Sequence, residues 1–142
     1  MTTIAFDGTH IAADRLMGGW HTAGKIFPLA GGRYLAGAGD YNHIVEVATW
    51  IAQGAREEAR PRLPEEQDTE IMMVEPDGSA YWLTWPHMRW VKYNEPFAAL
   101  GTGSEYALGA MAMGASAKKA VSIAMRFDPY TGKGITCLKV VK

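Results

Sequence analysis

The fold is decided by the N-terminal stretch TTIAFDGTHIAAD, residues 2–14. It reads as two short strands joined by the tight-turn signal Asp-Gly. With a loop of two or three residues, the position opposite Thr2 is Ala13 or Asp14. The hairpin therefore predicts a carboxylate in the neighbourhood of Thr2.

Thr2 is also a candidate nucleophile. Methionine aminopeptidase generally removes an initiator Met that precedes a small residue, so we expect Met1 to be removed and Thr2 to become the mature N-terminus. Its α-amine, with an ordinary pKa of about 8, can then act as the base for the hydroxyl of the same residue. Read alone, the first residues are explained more simply as a start codon followed by a β-branched strand residue.

Length and composition predict one globular domain over residues 1–142. The net charge of −1 gives no electrostatic reason to expect a nucleic acid or an anionic membrane as partner. The single cysteine, Cys137, excludes an internal disulfide and a cysteine-based metal cluster. No apolar run reaches about 18 residues, so we expect a soluble, cytoplasmic protein.

Hydrophobic periodicity predicts the remaining elements. Strands are expected at 24–29, 33–37, 69–75, 80–85, 89–93, 97–100 and 134–141, and helices at 40–59, 105–113 and 117–127. The predicted N-caps are Asp40 or Asn42, Ser104 and Ser116. Two antiparallel sheets with helices on their outer faces would bury all of these elements, so the expected fold class is α+β, an αββα four-layer sandwich.

Six short motifs occur in order from residue 2 to about residue 140: TTIA, IAADR, GKI, AGAG, LGTGSEYALG and RFDPYTG. Together they resemble the β-subunits of the proteasome and their bacterial relatives of the HslV type. The resemblance implies an N-terminal nucleophile (Ntn) hydrolase fold and a threonine-type endopeptidase that cleaves peptide bonds.

The resemblance also implies roles for four residues. Thr2 matches the nucleophile, Asp14 the acidic residue beside it, and Lys25 the lysine whose ammonium lies against the threonine hydroxyl. Gly39 matches the glycine whose backbone N–H forms the oxyanion hole. The arrangement is chemically coherent, because a nearby ammonium lowers the pKa of the α-amine and helps the hydroxyl lose its proton.

Three further site residues follow from the same resemblance. Thr102 and Thr131 stand where the family usually has Ser, and both substitutions keep the hydroxyl. Asp128 matches the Asp of the family's Asp-x-x-Ser-Gly loop. In relatives these groups help to hold the N-terminal amine. Ser104 is expected to cap a helix, with a supporting role in the site as an alternative.

The expected partners are a polypeptide substrate and further copies of the chain in a homo-oligomeric ring around an internal chamber, with no metal or organic cofactor. An ATPase unfoldase is known for such relatives, but nothing in the residues indicates one. The sequence also departs from the family in the middle, where only one convincing helix, at 40–59, stands in place of the usual two.

Two alternative functions remain open on the sequence. One is an Ntn amidase that acts on a small-molecule amide, and the other is a catalytically silent assembly protein that keeps the fold. Two other classes are disfavoured. The four histidines have no metal-ligand spacing, and the aromatic and basic stretch 81–93 is explained more simply as a hairpin than as a nucleic-acid surface.

Overall fold

The computed structural model describes residues 2–65 and 67–141. The strands are β1 (Thr3–Phe6), β2 (His10–Asp14), β3 (Leu16–Met17), β4 (His21–Thr22), β5 (Ile26–Pro28), β6 (Tyr34–Ala38), β7 (Glu70–Val74), β8 (Ala80–Thr84), β9 (Arg89–Lys92), β10 (Ala98–Gly101) and β11 (Ile135–Lys139). The helices are α1 (Tyr41–Ala52), α2 (Ser104–Ala112) and α3 (Ala117–Phe127).

These elements form two stacked antiparallel sheets with helices outside, as expected for the αββα sandwich. Sheet 1 has the strand order β10-β1-β2-β11, and sheet 2 has the order β5-β6-β7-β8-β9. Helices α2 and α3 pack on sheet 1, and α1 packs on sheet 2. The strands β3 and β4 form a small separate hairpin that the sequence did not predict.

The alternation along β1 shows how the layers are held together. Ile4 and Phe6 belong to the apolar cluster between the two sheets, whereas Ala5 faces the cluster beneath α2 and α3. All three side chains are buried, since successive residues of a strand point to opposite faces and both faces of sheet 1 are covered. The small side chain of Ala5 allows the helices to approach closely.

The hairpin register corrects one expectation. Ile4 pairs with Ala13 and Phe6 with Ile11, so the residue opposite Thr3 is Asp14. The prediction that Ala13 or Asp14 lies opposite Thr2 is therefore wrong by one position. The reason is that four residues rather than two or three separate the paired positions Phe6 and Ile11. Hydrogen bonds from three donors of Thr9 and His10 to the Asp7 carboxylate hold this connection.

Helix α1 ends earlier than predicted. It stops at Ala52 rather than at Ala59, because the chain turns back and the Ala55 N–H bonds to the Trp50 carbonyl. The indole N–H of Trp50 also donates to the Arg56 carbonyl at 2.8 Å and fixes the segment that leaves the helix. Among the described residues between α1 and β7, the only helical piece is a 3₁₀ turn at Glu57–Ala59.

Two of the three predicted helix N-caps are confirmed. Asp40 caps α1 by accepting from the Asn42 N–H at 2.9 Å, and Ser116 caps α3 by accepting from the Lys119 N–H at 3.2 Å. Ser104 does not cap α2, since Gly103 occupies the N-cap position and Ser104 is the first helical residue. Nor does Ser104 take part in a hydrogen bond of the site described below.

Candidate active site

Three chain segments meet around Thr2 at one end of the sandwich. Thr2 itself precedes β1, Gly39 follows β6, and Gly101 ends β10. Gly101 pairs with Thr3, and a Cβ at position 101 would lie 2.0 Å from the Thr2 carbonyl oxygen. Only glycine fits this position, where φ is also +94°. Thr2 is thereby held in a buried position although it stands near the chain terminus.

Lys25 connects Thr2 to Asp14. The Lys25 ammonium donates to the Thr2 hydroxyl oxygen and to Asp14 Oδ1, at 2.9 Å in both cases. Lys25 is 6% exposed and Asp14 is 1% exposed, so this ion pair is shielded from solvent. It differs in that respect from the surface ion pairs that contribute little to stability.

The Asp14 carboxylate is fixed by the backbone as well as by Lys25. Oδ1 also accepts from the Thr3 N–H at 2.9 Å, and Oδ2 accepts from the N–H groups of Leu16, at 3.3 Å, and Gly132, at 3.0 Å. These donors come from β1, the start of the β3–β4 hairpin and the loop before β11. The hydrogen bonds therefore tie three separate parts of the chain to one carboxylate.

Burial changes the acid–base behaviour of Lys25. Desolvation lowers the pKa of its ammonium below the ordinary value of 10.5, although the hydrogen bond and charge of Asp14 and the charge of Asp128 act in the opposite direction. Asp14 thus favours the charged form of this lysine, but its contribution is smaller than that of burial. The net result is an ammonium that gives up a proton more readily than an exposed lysine does.

A second network runs from the Thr2 nitrogen to Asp128. The Thr2 nitrogen lies 3.4 Å from Thr102 Oγ1, and the Thr102 hydroxyl donates to Asp128 Oδ2 at 2.6 Å. The Thr131 hydroxyl donates to the same carboxylate oxygen at 2.5 Å and lies 2.7 Å from the Thr3 hydroxyl. Since the Thr131 proton points to Asp128, Thr3 is the donor in the last of these contacts.

The pKa of Asp128 reflects these contacts. Burial alone would raise it, but the hydroxyls of Thr102 and Thr131 and the Tyr130 N–H stabilise the charged form, and the pKa lies below the ordinary value of 3.8. The negative charge next to the Thr2 nitrogen is therefore retained under mildly acidic conditions.

A cleft of about 230 Å³ opens at Thr2. Its lining includes Thr2, Lys25, Leu16, Met17, Tyr41 and Ile44, together with Gly37 and Gly39. The Ile44 side chain covers Gly37 closely, because a Cβ at that glycine would lie 2.7 Å from Ile44 Cγ1. The lining of the cleft is therefore mostly apolar, and Lys25 and Thr2 contribute its polar groups.

All seven residues that the sequence singled out lie at this end of the molecule. Asp14 and Lys25 contact each other and Lys25 contacts Thr2, whereas Thr102, Asp128 and Thr131 form the second network. Gly39 lines the cleft without a side chain of its own. Their catalytic roles remain predictions, and the predicted removal of Met1 lies outside the described residues.

Two residues that contact the site residues, Thr3 and Thr69, were not predicted from the sequence. The Thr3 hydroxyl joins the second network, and Thr69 packs against the backbone of Gly39. A signal for Thr3 existed, because the residue after a candidate nucleophile in a strand must point to the opposite face, towards the helices. No signal in the sequence marked Thr69, which depends on how sheet 2 stacks.

A second cavity, of about 570 Å³, lies elsewhere, between β7, β8 and β10. Trp82, Trp85, Tyr93 and the carboxylates of Glu70 and Glu95 line it. Burial and the two nearby carboxylates raise the pKa of Tyr93 to about 12. That phenol therefore stays protonated near neutral pH, and among the described residues no lysine lines this cavity as Lys25 does beside Thr2.

Two other kinds of site were sought over residues 2–65 and 67–141. No group of three or more His, Cys, Asp or Glu side chains is placed to hold a metal ion in this part of the chain. No helix there is both long and apolar enough to cross a membrane.

Comparison with known proteins supports the fold. No protein-family model and no curated protein sequence matches the chain. Among solved structures, the chain is similar to BPH from Thiobacillus denitrificans in complex with epoxomicin, with 20% identity over 100% of both chains and a TM-score of 0.68. A second structure of that BPH gives 21% identity over 98% of this chain and 97% of the other, with a TM-score of 0.67.

The eukaryotic HslV from Trypanosoma brucei is similar too, with 13% identity over 100% of both chains and a TM-score of 0.73. The structural similarity extends over the full length of both compared chains, so it includes the sheets and helices that surround Thr2. The chain therefore has the HslV- and proteasome-like Ntn-hydrolase fold.

Proposed function

We propose that this chain is a threonine-type peptide hydrolase that uses Thr2 as its nucleophile once Met1 has been removed. The observation that carries the proposal is the position of the Lys25 ammonium, 2.9 Å from both the Thr2 hydroxyl and the Asp14 carboxylate. A buried ammonium at this distance stabilises the developing negative charge on the hydroxyl oxygen.

The reaction has two halves. In the first, Thr2 Oγ1 attacks the carbonyl carbon of the scissile bond and its proton passes to the Thr2 α-amine, directly or through a water. The resulting ammonium then protonates the leaving amine as the C–N bond breaks, which leaves an ester on Thr2. In the second half, water gives a proton to the same amine and attacks the ester carbonyl carbon. The ammonium returns that proton to Thr2 Oγ1 as the ester C–O bond breaks, and the acid product is released with the free amine and hydroxyl restored.

The Thr102–Asp128 network supports the amine in this scheme. After removal of Met1, the amine would stand where the Thr2 nitrogen now lies, 3.4 Å from Thr102 Oγ1. The Thr102 proton is directed to Asp128, so its oxygen is oriented to accept from the amine. Because the amine donates a hydrogen in this contact, its lone pair stays available to accept the proton of the Thr2 hydroxyl.

Gly39 is proposed to supply the oxyanion-hole N–H. It lines the same cleft as Thr2, and its φ of +115° and the closeness of the Thr69 backbone admit only glycine there. One such donor contributes about 3 kcal/mol to stabilisation of the transition state.

The fold and the cleft support two further parts of the proposal. The apolar walls of the cleft favour a small to medium-sized apolar side chain next to the scissile bond. A homo-oligomer in which the active sites face an internal chamber is proposed because the fold is that of HslV- and proteasome-like proteins.

The first experiment is the intact mass of the purified native protein, followed by assays of wild type, Thr2→Ser and Thr2→Ala. We expect a chain lighter by one methionine residue, cleavage of fluorogenic peptides by wild type and by Thr2→Ser, and none by Thr2→Ala. Epoxomicin, the ligand of the BPH complex, should block the wild-type reaction.

Other outcomes separate the rival functions. Hydrolysis of small amides but not of peptides would assign the site to a small-molecule amidase. A native protein that retains Met1 and cleaves neither substrate would identify an assembly protein without activity. Peptide cleavage that survives Thr2→Ala would refute the mechanism itself.

A further inference from the structure

Thr69 stands directly behind Gly39. It is 3% exposed and immediately precedes β7. β7 pairs with β6, the strand that leads to Gly39. A Cβ at Gly39 would lie 2.7 Å from Thr69 Cα and 3.1 Å from the Thr69 nitrogen. The Thr69 backbone thus forms a wall that excludes any side chain at position 39, where φ is +115°.

The Thr69 side chain holds the peptide unit that follows Gly39. Its hydroxyl oxygen accepts from the Asp40 N–H at 3.2 Å and shares a hydrogen bond of 3.2 Å with His43 Nδ1. Asp40 is the N-cap of α1, and His43 lies in the first turn of that helix. A single hydroxyl therefore joins the Gly39–Asp40 peptide to the start of α1.

Thr69 is itself fixed at its remaining polar groups. Its N–H donates to Gln67 Oε1 at 2.7 Å, and its carbonyl accepts from the Trp85 indole N–H at 3.0 Å. With the hydroxyl engaged as well, every polar group of this buried residue has a partner in the fold. Such a residue can hold a neighbour in place because it has little freedom to move.

We propose that Thr69 is the positioning residue of the oxyanion-hole glycine. β6 fixes the peptide unit before Gly39 and Thr69 fixes the unit after it, so that the direction of the Gly39 N–H is determined from both sides. A donor of this kind is effective only when its orientation is set before the reaction. This inference rests on the proposed function, because it assigns Thr69 a part in the same reaction.

The test compares Thr69→Val, which has nearly the same shape without the hydroxyl, with Thr69→Ser, which keeps the hydroxyl. We expect Thr69→Val to lower kcat by about tenfold or more with little change in KM, since the lost contact acts on the transition state rather than on substrate binding. Thr69→Ser should restore most of kcat. If Thr69→Val does not fold, Thr69→Ala serves in its place.

A second readout does not depend on activity. Amide hydrogen exchange at Asp40 should be faster in Thr69→Val than in wild type or in Thr69→Ser, since the N–H has lost its acceptor. Thr9→Val is the matched control, because it removes a threonine hydroxyl that bonds to the Asp7 carboxylate in the β1–β2 loop. It should change neither kcat nor exchange at Asp40.

The possible failures are distinguishable. Active wild-type protein with an unchanged kcat in Thr69→Val, or with unchanged exchange at Asp40, would overturn the positioning role alone. A loss of kcat that Thr69→Ser does not restore would do the same, since it would assign the effect to packing. Wild-type protein that hydrolyses no amide would overturn the proposed function and this role together.

Discussion

The Lys25 ammonium lies 2.9 Å from the Thr2 hydroxyl oxygen, and both residues are buried. The contact requires that two segments distant in sequence, the N-terminus and the start of β5, meet at the same end of the sandwich. It gives the threonine hydroxyl a charged neighbour that solvent does not screen.

Replacing Lys25 by Met should abolish peptide hydrolysis and lower the free energy of unfolding by about 3 kcal/mol, because it leaves the Asp14 carboxylate buried without its cation. Chemical denaturation measures the second effect. The matched control is Arg60→Met, which breaks the exposed Arg60–Glu57 pair and should change stability by no more than about 0.5 kcal/mol. Equal losses of stability from the two substitutions would contradict the claim that the buried Lys25–Asp14 pair stabilises the fold more than the exposed pair does.

Replacing Thr102 by Val should interrupt the connection between the Thr2 nitrogen and Asp128. We expect kcat to fall by about 10²-fold, since the amine loses the contact that orients it as the general base. Thr102→Ser keeps the hydroxyl and should retain most activity. Steady-state kinetics of the two variants checks this, and an active Thr102→Val enzyme would show that the network is structural.

Replacing Ile44 by Val should enlarge the cleft beside Thr2. Relative kcat/KM should shift by about tenfold towards peptides with a larger apolar residue before the scissile bond, at a cost of about 1 kcal/mol in stability. Val47→Ala is a suitable control, because Val47 is a buried residue of the same helix but does not line the cleft. The control should be destabilised without a change in selectivity.

Asp128 should make the site sensitive to acid. Its pKa is lower in the folded protein than the ordinary 3.8, so its charged form stabilises the fold above about pH 4, and this contribution is lost as the pH falls through the lower, folded-state value. Urea unfolding of wild type and Asp128→Asn from pH 7 to pH 3 tests this. The wild type should be the more stable at pH 7, and the difference should shrink below about pH 4.

The fold class was predictable because local patterns agreed with one another. The hairpin of residues 2–14, the amphipathic α1 and the Ser116 cap each depend on interactions within a few residues, which periodicity and side-chain chemistry reveal. The early end of α1 was not predictable in the same way. It depends on the Trp50 side chain reaching the Arg56 carbonyl after the chain has turned.

The residues of the candidate site also differ in how far they could be predicted from the sequence. Thr2 and a nearby carboxylate followed from the residues, and the other five site residues followed from the resemblance. The one-position error in the hairpin register arose because the Asp7 carboxylate holds a longer loop than the Asp-Gly signal suggested. Thr69 could not be found, since its contact with Gly39 exists only once strands far apart in sequence have been assembled.

The four hydrogen-bond donors to Asp14 link the candidate site to the assembly of the whole fold. Its two oxygens already receive four donors, three of them backbone N–H groups that cannot leave without unfolding the chain locally. These backbone donors hold the carboxylate in place, so Asp14 also fixes the position of the Lys25 ammonium against the Thr2 hydroxyl. The ammonium can therefore reach the threonine hydroxyl only after β1, the β3–β4 hairpin and the loop before β11 have all come together, and the site is assembled by the last steps of folding rather than by any one segment.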